Sequence, residues 1–119
     1  MPSQPRLRVL LGEATAMGPG KAALLEKIAA TGSISKAARS MGMSYRRAWL
    51  LVEAMNSSFS EPLVEAARGG SGGGGARITP MGEEALRQYR EMEAEATDLL
   101  SERLARFAQL MREPAPKND

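Results

Sequence analysis

From Pro80 to about residue 112 the chain carries one unbroken amphipathic stretch, in a sequence of only 119 residues. Ala85, Tyr89, Met92, Ala96 and Leu99 follow four-three spacing, and the seam then steps sideways to Leu100, Leu104, Phe107 and Met111. That pattern predicts a helix of about nine turns with a single apolar stripe. Thr79-Pro80 marks its start, with Thr79 as N-cap and Pro80 at the first helical position. Glu83 and Glu84 in the first turn suit the helix dipole. The residues that precede it are too few to cover such a stripe. A second copy of the same helix is the economical cover, so Ala85, Tyr89, Met92, Ala96, Leu99, Leu100, Leu104 and Phe107 are expected to line a homodimer seam. The segment 113–119 contains Pro114 and Pro116 and is expected to be a disordered tail.

Upstream of this helix the periodicity changes several times. Leu7, Val9 and Leu11, alternating with Arg8 and Leu10, read as an edge or hairpin strand. Gly18-Pro19-Gly20 reads as a turn. Leu24, Leu25 and Ile28 then share a face of a helix over about 20–31, and Gly32 sits where a left-handed cap belongs. Ser35 is placed to cap a short helix, Lys36 to Met41, that Gly42 ends. Ser44 is placed to cap a longer one, Tyr45 to about Ser58, with Ala48, Leu51, Val52 and Met55 on its apolar face. Pro62 bars any continuation. Leu63-Val64-Glu65-Ala66 and Ala76-Arg77-Ile78 read as two short strands joined across Gly69-Gly70-Ser71-Gly72-Gly73-Gly74-Gly75, a run that cannot pack a core.

The order strand, helix, two capped helices, Gly-tipped hairpin, long helix is that of a winged helix-turn-helix. The expected fold is mainly α with a small β-hairpin wing. Residues 1–80 would form the winged helix-turn-helix domain and 81–112 the long dimerisation helix. Ala38 and, four residues later, Gly42 supply the close helix packing and the sharp turn such a motif needs. The composition excludes several alternatives. With no cysteine there is no disulfide framework or thiolate metal site. With no histidine the commonest general base and metal ligand are missing. Met1-Pro2-Ser3-Gln4-Pro5-Arg6 is followed by no apolar run of signal-peptide type, and no stretch approaches a membrane span. A cytoplasmic protein that is not an enzyme and uses no cofactor or metal is therefore expected. Glu83, Glu84, Glu91, Glu93 and Glu95 are read as exposed helix charges.

The charge is unevenly spread. Residues 1–80 hold ten Lys/Arg against five Asp/Glu, and residues 81–119 hold six against nine. A basic front and an acidic back point to a polyanion at one end. In a helix-turn-helix the first turn of the second helix enters the major groove of DNA. Arg46 and Arg47 would then meet guanine edges or phosphates, and Ser44 or Tyr45 a phosphate or base. Ser33, Ser35 and Lys36 at the preceding helix, with Arg68 and Arg77 flanking the wing, complete the expected double-stranded DNA contacts. Trp49 is expected at the edge of the core. Gly70, Gly72 and Gly75 formally match G-x-G-x-x-G, but no helix opens directly behind them, and no Gly-Lys-Ser/Thr follows for a P-loop. The tract reads as a wing tip or a flexible linker.

Thr31-Gly32-Ser33-Ile34-Ser35-Lys36-Ala37-Ala38, Gly42-Met43-Ser44-Tyr45-Arg46-Arg47-Ala48-Trp49 and Met55-Asn56 resemble the N-terminal domain of ModE-type molybdate-responsive regulators. Leu63-Val64-Glu65, Gly69-Gly70, Gly72 to Ala76 and Thr79 carry the resemblance through the wing, over about residues 7–105 in all. The broader relation is to LysR-type DNA-binding domains. The resemblance implies a winged helix whose first and last helices build a dimer. Regulators of that type carry molybdate-binding domains after the DNA-binding one, and 119 residues leave no room for them. The expectation is thus the DNA-binding part alone, a dimeric sequence-specific transcriptional regulator, with any effector held by a separate partner. The alternative is a protein-interaction module that pairs through its long helix and no longer binds DNA.

Overall fold

The computed structural model describes residues 7–11, 14–68 and 74–112. Its elements in chain order are β1 (Val9–Leu11), β2 (Ala14–Met17), α1 (Pro19–Thr31), α2 (Ile34–Ser40), α3 (Tyr45–Ser58), β3 (Val64–Arg68), β4 (Gly74–Ile78) and α4 (Pro80–Ala108). This is the expected winged helix-turn-helix with a long C-terminal helix, mainly α with two small antiparallel hairpins. β1 is indeed a hairpin strand. Its partner β2, absent from the sequence reading, sets Val9 opposite Met17 and Leu11 opposite Ala14 across a bulge.

Gly18-Pro19-Gly20 proves to be a helix entry rather than a turn. Gly18 is the extended N-cap of α1 and Pro19 its first residue, a place where the missing N–H costs nothing and the fixed φ is already helical. Gly32 ends α1 with φ 69°, donating its N–H to the Ile28 carbonyl. α2 also starts earlier than expected. Ser33, not Ser35, is its N-cap, and the Ser33 hydroxyl accepts from the Lys36 N–H at 3.1 Å. Both serines carry the right chemistry, but only Ser33 has extended dihedrals with the cap three residues ahead of a free N–H. Gly42 turns the chain at φ 69°, where a side chain would be strained. Ser44 caps α3 as anticipated, accepting from Arg47 N–H at 3.1 Å. α3 ends at Ser58, where Phe59 becomes extended, so Pro62 is not what stops it.

The core gathers Leu24, Leu25 and Ile28 from α1, Ala37 and Ala38 from α2, and Ala48, Val52 and Met55 from α3. Leu51 packs at its margin. Complete burial of each large apolar side chain stabilises by roughly 1.5–3 kcal/mol, and the two alanines of α2 let the helix-turn-helix close tightly. β3 and β4 pair in register from Val64↔Ile78 to Arg68↔Gly74. The wing is tied to the helices by Ala76 N–H donating to the Gly32 carbonyl at 2.9 Å. The expectations for Gly69 to Gly73 and for the tail 113–119 fall outside the described residues.

Thr79 caps α4, accepting from Gly82 N–H at 3.0 Å, and its hydroxyl donates to the Pro62 carbonyl at 2.7 Å. Gly82 lies so close to the β3 entry that a Cβ built there would stand 2.3 Å from the Leu63 carbonyl oxygen. The first three turns of α4 therefore belong to the same core as α1–α3. Tyr89 is 1% exposed and donates its hydroxyl to the Leu7 carbonyl. That corrects two of the expected seam positions: Tyr89 is consumed within its own chain, and Ala85 packs against the same core. Beyond this point α4 leaves the domain, and Met92, Leu99, Leu100 and Phe107 are exposed in the single chain. The α-helix ends at Ala108, short of residue 112. The next N–H groups bond three residues back, Leu110 to Phe107 and Met111 to Ala108, the tighter winding often seen where a helix ends.

Candidate nucleic-acid interface

α3 is amphipathic in a way that decides what it presents. Ala48, Val52 and Met55 face the core, so Arg46, Trp49, Leu50 and Glu53 face away from it. Tyr45, Arg46 and Arg47, in the first turn, are all exposed. Ser44 fixes that turn by occupying one of the orphan N–H groups, and the turn carries the positive end of the helix dipole. Two depressions flank the ridge. One, about 420 Å³, lies between α3, the start of α2 and the wing, lined among others by Ser33, Ser35, Tyr45, Trp49, Glu53, Asn56 and Glu65. The other, about 320 Å³, is lined by Ser44, Arg46, Arg47, Leu50 and Leu51.

The expected contact residues are thus largely brought together. Ser33, Ser35 and Tyr45 share the first depression; Ser44, Arg46 and Arg47 share the second. Lys36 is exposed on α2 and lines neither. Among the described residues none of Lys36, Arg39, Arg46 and Arg47 makes an ion pair. The arginines of α4 behave differently. Arg87 is held by Glu84 and Glu91, and Arg90 by Glu26 at 2.6 Å and Glu93 at 2.7 Å. The Glu26 hydrogen bond, more than any other contact, raises the Arg90 pKa further above its ordinary range. Arg77, expected to be a DNA contact, is likewise tied across the hairpin to Glu65 at 2.9 Å. Arg68 ends β3 opposite Gly74.

A family model of bacterial regulatory helix-turn-helix proteins, lysR family, matches residues 21–83, from α1 through the first turn of α4. The chain belongs to this family. The chain is similar to the molybdenum-pterin-binding protein MopB of Rhodobacter capsulatus, 51% identical over 85 residues, covering 71% of this chain and 32% of that protein. It is also similar to the molybdenum transport protein ModE of Azotobacter vinelandii, 42% identical over 93 residues, 76% of this chain and 34% of that one. The DNA-binding transcriptional dual regulator ModE of Escherichia coli K12 is 40% identical over 87 residues, 71% of this chain and 33% of its own. The chain spans about a third of the length of these relatives. The resemblance to ModE-type N-terminal domains is borne out.

Some residues of this lysR-family domain escaped the sequence reading. Trp49 is not at the core edge but 43% exposed, beside Leu50 at 49%. The core face of α3 runs through 48, 52 and 55, so position 49 is one step past it; the helical wheel held that signal. Asn56 is the other. Its side-chain amide donates to the Val64 carbonyl at 3.0 Å, and its Oδ1 accepts from Leu63 N–H at 2.8 Å and Val64 N–H at 3.1 Å. It clamps the root of the wing to α3. The sequence named Asn56 only as part of the resemblance, and a polar residue following Met55 on the buried flank of the helix was the one physical hint of this role.

Proposed function

We propose that the protein is a dimeric, sequence-specific DNA-binding transcriptional regulator acting in the cytoplasm. The observation that carries this reading is the first turn of α3, whose Tyr45, Arg46 and Arg47 are exposed while Ala48, Val52 and Met55 anchor the helix. A helix so mounted can place its N-terminal turn in the major groove. Arg46 is the residue assigned to a guanine edge, where a bidentate contact contributes about 1–3 kcal/mol of discrimination. Arg47, Lys36, Ser33, Ser35 and Ser44 are assigned to phosphates, with Arg68 and Arg77 on the wing. Arg77 would exchange its Glu65 partner for a phosphate. The dimer is assigned to the uncovered part of α4, with Met92, Ala96, Leu99, Leu100, Leu104 and Phe107 in the seam. The reading uses no metal, cofactor or catalytic residue and leaves effector binding to a separate partner.

The test is binding to DNA selected from a random pool, measured between about 50 and 200 mM salt. Affinity is expected to fall steeply with salt because neutralised phosphates release counterions. Arg46→Ala should relax sequence preference, whereas Lys36→Ala should weaken all sequences about equally. Salt-insensitive binding, or none to any pool, overturns the reading. The exposed apolar face of α4 also fits a module that pairs with a different chain and ignores DNA. A size measurement with and without DNA separates the two, since that module forms a hetero-complex and shows no DNA shift.

A further inference from the structure

We propose that Trp49 and Leu50 read thymine in the major groove, through the 5-methyl group that distinguishes it from the other bases. The proposal rests on the DNA-binding reading above and names what this part of α3 recognises. Two large apolar side chains stand side by side on α3, 43% and 49% exposed. Neither is part of the core or packed at its margin. Arg46 lies three residues before Trp49 and four before Leu50, one turn back on the same outward side. The ridge that offers a guanidinium for base edges thus offers hydrocarbon immediately beside it.

A second copy of this chain is the other surface that could cover the pair. The charges around them speak against it. Around them Lys36, Arg39, Arg46 and Arg47 stand against Glu53 and Glu65, and Glu65 is already paired with Arg77, so a two-fold contact would bring a net excess of cations against its own image. A polyanion neutralises them instead. Among the apolar features a duplex displays to a major-groove helix, the thymine methyl is the one that an apolar side chain can select. Trp49 approaches from the wing side, where it lines the depression with Tyr45. Leu50 approaches from the other side, where it lines the second depression with Arg46. Two thymines in one half-site, on either side of an Arg46–guanine contact, are the pattern this arrangement would select.

The experiment takes the duplex selected from a random pool by the full chain. Each thymine is replaced in turn by deoxyuridine, which removes the methyl and leaves the pairing intact. Binding of the unaltered protein is expected to weaken by about threefold to tenfold at one or two thymines per half-site and to be unchanged at the others. Cytosine at the same position should bind worse than 5-methylcytosine. In Trp49→Ala or Leu50→Ala the loss on uracil substitution should disappear at one of those positions, with the salt dependence retained. A protein that binds its selected duplex but tolerates uracil at every position overturns this proposal while leaving the DNA-binding reading standing. So does a uracil effect that survives in both variants, or a Trp49→Ala change in oligomeric mass. Failure to bind any duplex removes both.

Discussion

Gly82 is held by a constraint that reaches across the fold. The Leu63 carbonyl that a Cβ at Gly82 would strike at 2.3 Å also accepts from the Thr79 N–H at 2.9 Å, so it cannot withdraw without breaking the bond that seats α4. Gly82→Ala is therefore expected to destabilise by about 2–4 kcal/mol. Gly20→Ala, in α1 with nothing within 4 Å of the added carbon, is expected to be neutral or stabilising by up to about 1 kcal/mol. Urea midpoints of the two variants check the pair. Tyr89 gives a pH-dependent case. Burial, followed by the neighbouring Glu93 charge, raises its phenol above the ordinary value of 10.0. The folded protein thus holds this proton more tightly than the unfolded chain. The stabilisation is complete below about pH 10 and is lost as pH rises through the folded value. Tyr89→Phe gives up the bond to the Leu7 carbonyl, about 1 kcal/mol at neutral pH. The stability gap between wild type and variant should stay constant below about pH 10 and narrow as pH rises above it, as denaturant unfolding across that range would show.

At the scale of elements one side chain clamps the root of the wing to α3. Asn56 satisfies the N–H groups of Leu63 and Val64 and the Val64 carbonyl together. Asn56→Ala leaves them without that partner, at a cost of about 2–3 kcal/mol, and hydrogen exchange at Leu63 and Val64 should accelerate more than in α1. Asn56→Asp keeps the acceptor but loses the donor, and should recover part of the protection. Elements whose cause is local were legible in the sequence. The α3 cap at Ser44, the left-handed glycines 32 and 42 and the Thr79 start of α4 each depend on dihedrals and neighbours within four residues. What escaped depends on distant partners or on rival local solutions. Ser33 and Ser35 are equally good caps on paper. Pro19 suits a turn and a first helical turn alike. β2 has no pattern of its own, and pairing with β1 makes it a strand. The contact side of the site was half visible: the basic first turn of α3 followed from its cap and periodicity. Trp49 departs from the expected core edge although a tryptophan is more often covered than not, because the core face of α3 is already closed by Ala48 and Val52.

The described residues together measure 53 × 36 × 23 Å, and α4, 29 residues long and so about 43 Å, reaches well beyond the core that holds its first turns. Leu99 is 81% exposed on the projecting part, with Met92, Leu100 and Phe107 also open to solvent. Because Tyr89 and Gly82 complete the domain without the far end of α4, the domain and the seam should be separable, which makes the dimer testable without unfolding the protein. Leu99→Glu combined with Phe107→Glu places charge in the proposed seam and leaves the core untouched. The expected result is a fall from two-chain to one-chain mass by sedimentation, with hydrogen exchange in α1–α3 unchanged. DNA binding then reports on the same contact. A dimer engages two half-sites one helical turn or a multiple apart, and its second contact forms at the high effective concentration set by the first. The unaltered protein should prefer a duplex with both half-sites over one with a single half-site by at least about 100-fold. The double variant should bind the two duplexes nearly alike, at the weaker level, because each α3 still reads its half-site alone. A variant that keeps its mass and its preference would locate the seam elsewhere. An unaltered chain that sediments as one copy on DNA would mean that α4 pairs with a different protein.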